Sequence, residues 1–238
     1  AIFLTVLFFN LFGDGLRAPY RLDSASVSAA IALRLPESGE VLDACAAPGG
    51  KSLVIASRMG PHVQLLSNEL SSDRRRRLSD VLGAHLPPEA RARVTVSGFD
   101  AAAAGGRVSE RGRFGAVLLD APCSSERHVL KDPAALAGWT PARVKFLSRR
   151  QWSLLSSAFL LLAPGGSLVY ATCALSPEEN DGPVQRLFDK YGDDVELDPP
   201  PALGGAEHTA FGVHYLPDRS GGAGPLYIAR MRKRLTER

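Results

Sequence analysis

The chain has 238 residues, of which 45% are hydrophobic, and a formal net charge of +3. That length suits one sizeable core and is short for two, so one domain is predicted. The balance of 28 lysines and arginines against 25 acidic residues permits a polyanionic partner without demanding one. Three cysteines without a CxxC pair argue against a disulfide framework or a zinc knuckle and favour a reducing, intracellular setting.

The first nine residues form an apolar run that is too short to span a bilayer and lacks a basic leader. A buried helix or strand is the favoured interpretation, and a signal-peptide core is the alternative. Because the first residue is not methionine, residues 1–19 are treated as an N-terminal extension or a fragment of a preceding element. Residues 20–238 then form the single domain.

Predicted elements alternate along the rest of the chain. Helices are predicted over 24–35, 50–59, 72–82, 141–162 and 177–191, the last with Ser176 as its N-cap. Strands are predicted over 41–44, 63–66, 94–96, 116–119, 168–170, 212–216 and 226–231. Loops are predicted over 101–106 and 198–207. The alternation predicts an α/β fold with a doubly wound, mostly parallel seven-stranded sheet and an antiparallel edge hairpin.

The first predicted strand runs into a turn of small residues, Asp43-Ala44-Cys45-Ala46-Ala47-Pro48-Gly49-Gly50-Lys51-Ser52. Glycines let the backbone approach a ligand closely, and the next helix presents its N-terminus there. The ending Gly-Lys-Ser resembles a phosphate-binding P-loop, but that motif requires glycine where Cys45 stands. A nucleotide hydrolase with Asp120 on its magnesium-binding strand is therefore a disfavoured alternative, as is a turn that binds nothing.

Two carboxylates follow the next two strands. Glu69 comes roughly 20 residues after the turn, which suits a ribose diol. Asp100 follows the third strand and suits an exocyclic amine. Together with the turn, these residues predict an adenosine-bearing cofactor across the strand ends. Because the chain lacks a phosphate-binding GxGxxG at this turn, we expect S-adenosylmethionine rather than a dinucleotide.

Two cysteines each directly follow an apolar run, within Asp120-Ala121-Pro122-Cys123-Ser124 and Tyr170-Ala171-Thr172-Cys173. The carboxyl ends of strands are where an open α/β sheet displays reactive groups. Two thiols delivered in this way predict covalent chemistry shared between them. Small buried hydrophobes are the alternative interpretation, because that is the usual fate of a free cysteine.

With these motifs in this order, the chain resembles the Sun family of RNA cytosine-5 methyltransferases. The turn at 43–52 matches its cofactor motif, and the two cysteine segments match its paired cysteine motifs. Ser176-Pro177-Glu178-Glu179-Asn180 matches the stretch that follows the second. The similarity covers residues 20–234 and looks closest to the compact branch without a separate RNA-binding domain, so target selection is expected to come from this domain's surface or from a partner.

The resemblance implies a Rossmann-like class I methyltransferase fold and transfer of a methyl group from S-adenosylmethionine to carbon 5 of a cytosine in RNA. Ribosomal RNA is the favoured substrate and transfer RNA the alternative. A cofactor-binding RNA scaffold without turnover is the non-enzymatic alternative. We expect a monomeric catalytic domain without a metal or a membrane partner, in the bacterial cytoplasm or, alternatively, the mitochondrial matrix.

The resemblance also implies roles for individual residues. Cys173 would be the attacking nucleophile, Cys123 would assist product release, and Asp120 would lie near both the cofactor and the target base. The implied cofactor-binding residues are Cys45, Ala46, Ala47, Pro48, Gly49, Gly50, Lys51, Glu69, Arg74, Asp100 and Asp120. Cys45 is interpreted as packing, with its backbone facing the cofactor. Glu69 departs from the branch, which often has Asp there, but the longer side chain should still reach the ribose.

The chemistry explains the need for two thiols. Ring carbon 5 of cytosine is a poor nucleophile until a thiolate adds to carbon 6, and a base must later remove the proton at carbon 5. Because a free thiol titrates near ~8.5, Cys173 needs activation. The candidates are the N-terminus of the helix expected after Ser176 and the Lys51 ammonium. Lys51 is therefore counted with the catalytic residues.

The target base must also be accessible, because enzymes that act on ring atoms use single-stranded or flipped nucleotides. Three arginine clusters are candidate phosphate contacts, with a solvated surface as the alternative. They lie at 74–77, 149–150 and 230–234.

Overall fold

The computed structural model describes residues 23–129, 139–200, 202 and 204–235. The predicted apolar run and the extension over 1–19 lie outside the described residues. Within the described ranges, none of the helices combines the length and the apolar character that a membrane crossing needs.

Nine strands of the described chain form one sheet, in the order β3-β2-β1-β4-β5-β9-β8-β7, with β6 beside β9. Their bounds are β1 Ser38–Asp43, β2 His62–Asn68, β3 Val94–Ser97, β4 Phe114–Asp120, β5 Leu162–Thr172, β6 Val195–Leu197, β7 Glu207–His208, β8 Gly212–Tyr215 and β9 Leu226–Lys233. Strands β1 to β5 pair in parallel, whereas β9 runs antiparallel to β5 and β8. The predicted fold is confirmed. All seven predicted strands are present, and the short β6 and β7 add to them.

The helices that cover the sheet are α1 Ser24–Ala32, α2 Gly50–Arg58, α3 Ser72–His85, α4 Pro88–Arg91, α5 Ala101–Ala104, α6 Glu126–Val129, α7 Pro141–Leu161 and α8 Asp181–Tyr191. Residues 101–106 were expected to be loop only, but the side chain of Asp100 caps the short α5 by accepting the N–H of Ala102 (3.0 Å).

The last helix begins later than predicted, at Asp181 instead of 177, and its N-cap is Asn180 rather than Ser176. Residues 177–180 form a separate turn, in which the N–H of Glu179 donates to the carbonyl of Ser176 (3.0 Å). The Ser176 hydroxyl donates to the side chain of Glu178 instead of capping the helix.

Apolar side chains pack on both faces of the sheet. In β4, Ala116 and Leu118 join the cluster beneath α1, α2 and α3, whereas Val117 and Leu119 join the cluster beneath α7 and α8. All four are fully buried, because helices cover both faces of a parallel sheet and successive side chains alternate between them. Because β1 to β5 are parallel, their carboxyl ends all lie at the same edge of the sheet.

Candidate active site

The turn after β1 is shaped by Gly49, the N-cap of α2. Its φ of +117° lies in the left-handed region, and a Cβ there would come within 3.1 Å of the side chains of Leu78 and Val81. Both conditions favour glycine. Cys45 in the same turn has a thiol whose pKa burial raises, so it stays protonated at neutral pH. This agrees with its interpretation as a packing residue.

A cleft of about 730 Å³ opens at the carboxyl ends of the parallel strands. The predicted site residues that line it are Cys45, Ala47, Glu69, Arg74, Asp100, Asp120, Cys123 and Cys173. A second cavity of about 140 Å³ shares Cys45, Ala47 and Asp120 with the cleft, and Ala46, Pro48, Gly50 and Lys51 also line it. Every predicted site residue except Gly49 therefore lines one of these two neighbouring spaces.

Glu69 lies at the end of β2 with its side chain almost fully buried. Its Oε1 accepts the N–H of Ser71 (3.0 Å), and Nη2 of Arg74 lies 3.4 Å from its Oε2. The same Nη2 donates to the carbonyl of Ala47 (3.0 Å). Arg74 thus ties the Glu69 carboxylate to the turn after β1, and both lie at the cleft as predicted.

Asp100 borders the cleft beyond β3. Besides capping α5, its Oδ1 accepts Nη2 of Arg150 on α7 at 2.7 Å. Sequence reasoning grouped Arg150 with the possible phosphate contacts and missed this pairing. Because both side chains are more than a third exposed, the ion pair contributes little to stability. Its main consequence is to hold Asp100 at the cleft.

Lys51 projects from the first turn of α2 to Asp120 at the end of β4. The Lys51 Nζ and the Asp120 Oδ2 are 2.6 Å apart, and the hydroxyl of Ser26 is 3.4 Å from the same Nζ. Burial alone would lower the pKa of Lys51, but the neighbouring Asp120 carboxylate outweighs it and the pKa is raised. Lys51 is therefore a fixed positive charge, not a free base.

Sequence reasoning did not assign a role to Asp43, the last residue of β1. Its Oδ2 accepts the Ser52 hydroxyl (2.7 Å), which in turn accepts the Ser67 hydroxyl (3.0 Å). Its Oδ1 is buried and finds no hydrogen-bond partner among the described residues. Burial raises the pKa of Asp43 to about 7. The available signal was a carboxylate that directly follows the apolar pair Val41-Leu42.

The same contacts argue against the P-loop alternative. In that motif the serine hydroxyl must be available to bind magnesium. Here Ser52 is fully buried, and its hydroxyl donates to Asp43.

The two thiols meet because β4 and β5 are parallel neighbours, with Asp120 opposite Ala171. The sulfur atoms of Cys123 and Cys173 are 2.7 Å apart, and the N–H of Cys173 donates to Sγ of Cys123 (3.3 Å). Both cysteines are free thiols; Cys123 is buried and Cys173 is half-buried. Ser125 was missed by sequence reasoning, and its hydroxyl lies 3.8 Å and 3.7 Å from the two sulfurs.

Their contact makes the two thiols unequal. The hydrogen bond from Cys123 lowers the pKa of Cys173 against the opposing effects of burial and of the Asp120 carboxylate. The Ser125 hydroxyl and the Lys51 charge add smaller contributions to the lowering. Giving that hydrogen bond, together with burial, raises the pKa of Cys123. Cys173 therefore ionises first. The sequence predicted that a helix starting directly after Ser176 would help to activate Cys173. That start was wrong, because the helix begins at Asp181.

Some arginines of the predicted phosphate-binding clusters make contacts within the protein, and others are exposed. Arg230 is buried and donates to the carbonyl of Ala32 (2.8 Å) while pairing with Asp198 (2.9 Å), so its prediction as a phosphate contact is wrong. Nη1 of Arg75 donates to the carbonyl of Glu69 (2.9 Å). The exposed members of the predicted clusters include Arg76, Arg77, Arg149, Arg232 and Arg234.

Comparison with known proteins gives consistent matches. Residues 30–232 match the family model described as 16S rRNA methyltransferase RsmB/F. Ribosomal RNA small subunit methyltransferase F of Klebsiella pneumoniae (strain 342) is 40% identical over 202 residues, which are 83% of this chain and 41% of that protein. Its counterpart in Escherichia coli O9:H4 (strain HS) is 39% identical over 197 residues, or 81% and 40% of the two chains.

Two solved structures from Pyrococcus horikoshii share the fold. A methyltransferase homologue protein superposes with a TM-score of 0.68 at 29% identity, covering 90% of this chain and 68% of that one. NSun6 with SFG superposes with a TM-score of 0.75 at 25% identity, covering 90% and 53%.

The fold, with a cleft at its strand ends, is the Rossmann-like fold of methyltransferases. The chain belongs to the 16S rRNA methyltransferase RsmB/F family, which confirms the resemblance to the Sun family. It spans about two-fifths of the length of the curated relatives it matches.

Proposed function

We propose that this protein transfers a methyl group from S-adenosylmethionine to carbon 5 of a cytosine in ribosomal RNA, through a covalent bond between Cys173 and the base. The observation that carries the proposal is the 2.7 Å contact between the Cys123 and Cys173 sulfurs in a cleft that Glu69 and Asp100 also line. Ribosomal RNA is proposed because the matching family and the curated relatives are described by that substrate.

The residues at the cleft fit S-adenosylmethionine. Glu69 offers a nearly buried carboxylate whose Oε2 makes no hydrogen bond within the described structure, which suits ribose hydroxyls. Asp43 offers a second buried oxygen without a partner there, beside the glycine turn. NSun6 was crystallised with SFG, an analogue of this cofactor. When bound, S-adenosylmethionine supplies an electrophilic methyl group on a sulfonium sulfur.

Cys173 starts the reaction. Its thiolate adds to carbon 6 of the cytosine, a carbon–sulfur bond forms, and the electron pair of the 5,6 double bond becomes available at carbon 5. That pair forms the bond from carbon 5 to the methyl group, whose bond to the cofactor sulfur breaks. A base then removes the proton from carbon 5, and the electron pair of the broken C–H bond re-forms the 5,6 double bond and expels the Cys173 thiolate. The lowered pKa and the greater exposure of Cys173 relative to Cys123 support this assignment.

Cys123 suits the later proton removal. The largest cause of its raised pKa is the hydrogen bond to Cys173, and burial comes second. Once Cys173 is bonded to the base, its negative charge is gone and that cause disappears. The pKa of Cys123 then falls at the step in which a base is required, although burial still raises it.

Asp120 is assigned to the target base. Lys51 holds the Asp120 carboxylate in place through its Oδ2. Asp120 borders both the cleft and the smaller cavity that Gly50 and Lys51 line. A carboxylate there accepts a hydrogen bond from the amine of cytosine and repels the corresponding carbonyl of uracil. This distinction gives the base preference.

The proposal is tested by incubating the purified chain and S-adenosylmethionine with unmodified 16S rRNA, assembled small ribosomal subunits, or transfer RNA. We expect 5-methylcytosine at a single position of the ribosomal substrate, found by mass spectrometry of nuclease fragments. Methylation of transfer RNA alone would contradict the ribosomal assignment. Binding of cofactor and RNA without 5-methylcytosine in any substrate would favour the scaffold alternative.

A further inference from the structure

The turn over 177–180 contacts the loops that carry both thiols, and its last two residues are buried. Glu179 is fully buried, and Asn180 is nearly so. The hydroxyl of Tyr170 on β5 donates to the carbonyl of Glu179 (2.6 Å), and the N–H of Gly182 donates to the carbonyl of Pro177 (2.9 Å). The turn is therefore fixed both to the sheet and to the start of α8.

Glu179 holds the chain on both sides of Cys123. Its Oε2 accepts the N–H of Ser124 (3.0 Å) and Nε2 of Gln151 (2.7 Å). The same nitrogen of Gln151 donates to the carbonyl of Pro122 (2.9 Å). The residues immediately before and after Cys123 are thus connected to one buried carboxylate, the second directly and the first through Gln151.

Asn180 does the same for Cys173. Its Oδ1 accepts the hydroxyl of Thr172 (2.5 Å), and its Nδ2 donates to the carbonyl of Ala174 (3.1 Å). The residues immediately before and after Cys173 are therefore bridged by one amide side chain. Both ends of that amide are used, which fixes its orientation.

We propose that Glu179 and Asn180 are positioning residues that set the two thiols against each other, Glu179 through the Cys123 loop and Asn180 through the Cys173 loop. Because the two are consecutive in one short turn, the loops after β4 and β5 share a single anchor. Neither side chain touches a sulfur. The roles rest on the proposed function, since they matter only if both thiols take part in one reaction.

Loss of either anchor has a specific consequence. Removing one partner of a buried hydrogen bond leaves the other unsatisfied, so the loop it held moves to find a new partner. Misplacement of a reacting group by about 1 Å costs on the order of 100-fold in rate. Because each anchor serves one loop, the two losses should slow different steps of the reaction.

The test compares Glu179→Ala and Asn180→Ala with Glu178→Ala, an exposed neighbour in the same turn. With S-adenosylmethionine and 16S rRNA, we expect both anchor variants to lose about 10- to 100-fold in kcat. The KM for S-adenosylmethionine should stay unchanged in all three. Glu179→Ala should accumulate a covalent protein–RNA adduct on a denaturing gel because release is slowed, whereas Asn180→Ala should form little adduct because attack is slowed. Glu178→Ala should match the wild type.

A second readout needs no RNA. The rate at which iodoacetamide alkylates Cys173 is followed against pH by mass spectrometry. Both anchor variants should shift this profile to higher pH, because either displaced loop weakens the Cys123–Cys173 hydrogen bond, and Glu178→Ala should not shift it. The alkylation readout stays informative if the proposed methyl transfer is wrong. Covalent trapping of 16S rRNA by a Cys123→Ala variant, resolved on a denaturing gel, tests that transfer separately.

Two further variants keep the proposal falsifiable if an alanine variant fails to fold. Glu179→Gln retains an acceptor oxygen for Ser124 and should behave as wild type. Gln151→Met fills a similar volume but breaks the link to Pro122, and it should reproduce the adduct accumulation in weaker form. The proposal is overturned if both anchor losses change adduct levels in the same direction, or if neither shifts the alkylation profile relative to Glu178→Ala.

Discussion

The sulfur atoms of Cys123 and Cys173, which are 50 positions apart in the sequence, lie 2.7 Å from each other. Strands β4 and β5 deliver them side by side, and the backbone N–H of Cys173 also reaches the sulfur of Cys123. One thiol donates a hydrogen bond to the other, so their acidities are linked. The predictions below test that link and the groups around it.

The reactivity of Cys173 should depend on Cys123. In the wild type, iodoacetamide should modify Cys173 with a pH midpoint below the ordinary thiol value of ~8.5, since the hydrogen bond from Cys123 lowers the pKa of Cys173. Cys123→Ala removes that donor and should move the midpoint upward. Peptide mass spectrometry of protein quenched across a pH series measures both profiles. Superimposable profiles would contradict the linkage.

Asp43 should make stability decrease as pH rises. Its pKa is about 7 in the folded protein against an ordinary value of 3.8, so between these values the folded state keeps a proton that the unfolded chain loses. The free energy of unfolding therefore falls from about pH 4 to about pH 7, by on the order of 4 kcal/mol from this group. Asp43→Asn should lack this fall. Urea unfolding of both proteins at several pH values measures the difference between their free energies of unfolding. A difference that stays the same from about pH 4 to about pH 7 would contradict this prediction.

Lys51 and Asp120 should be energetically coupled. Removing either partner leaves a largely buried charge uncompensated, so Lys51→Met and Asp120→Asn should each destabilise the protein. The double variant leaves no unpaired charge and should lose less stability than the sum of the two single losses. The coupling energy should fall between about 1 and 3 kcal/mol. Urea unfolding of the four proteins in the cycle measures it. Strict additivity would mean that the 2.6 Å contact contributes nothing in solution.

Glu69 should control cofactor affinity. Glu69→Gln replaces a charged acceptor with a neutral amide and should weaken S-adenosylmethionine binding about 10-fold, or ~1.4 kcal/mol, by isothermal titration calorimetry. Glu69→Asp, the residue common in the related branch, should retain binding. Asp73→Asn on the exposed first turn of α3 is the matched control. Equal affinities for the wild type and Glu69→Gln would remove Glu69 from the cofactor site.

Much of the sheet was predictable from local sequence. Residues 116–119 form a continuous apolar run because helices bury both faces of β4, and that run indicates a central parallel strand. The turn after β1 was predictable because a glycine-rich run of small residues directly follows a predicted strand. The proximity of the thiols followed from the order of the strands, because Cys173 directly follows β5 and Cys123 comes shortly after the end of β4.

The failures have tertiary causes. Ser176 and Pro177 form a standard signal for a helix start, but the Asn180 side chain is held by Thr172 and Ala174, so the helix begins after it. Arg230 lies in a basic run, yet the residue that neutralises it, Asp198, is 32 positions away. The raised pKa of Asp43 depends on burial, which local sequence does not reveal.

The measurement that tests the central claim most directly is covalent trapping. Cys123→Ala protein is incubated with S-adenosylmethionine and 16S rRNA and resolved on a denaturing gel. We predict a slowly migrating protein–RNA adduct that disappears when Cys173 is also changed to alanine. An adduct that forms in Cys173→Ala protein and requires Cys123, as in DNA cytosine-5 enzymes, would contradict the assignment of the nucleophile. Absence of any adduct from Cys123→Ala, while the wild type still makes 5-methylcytosine, would contradict the division of work between the two thiols.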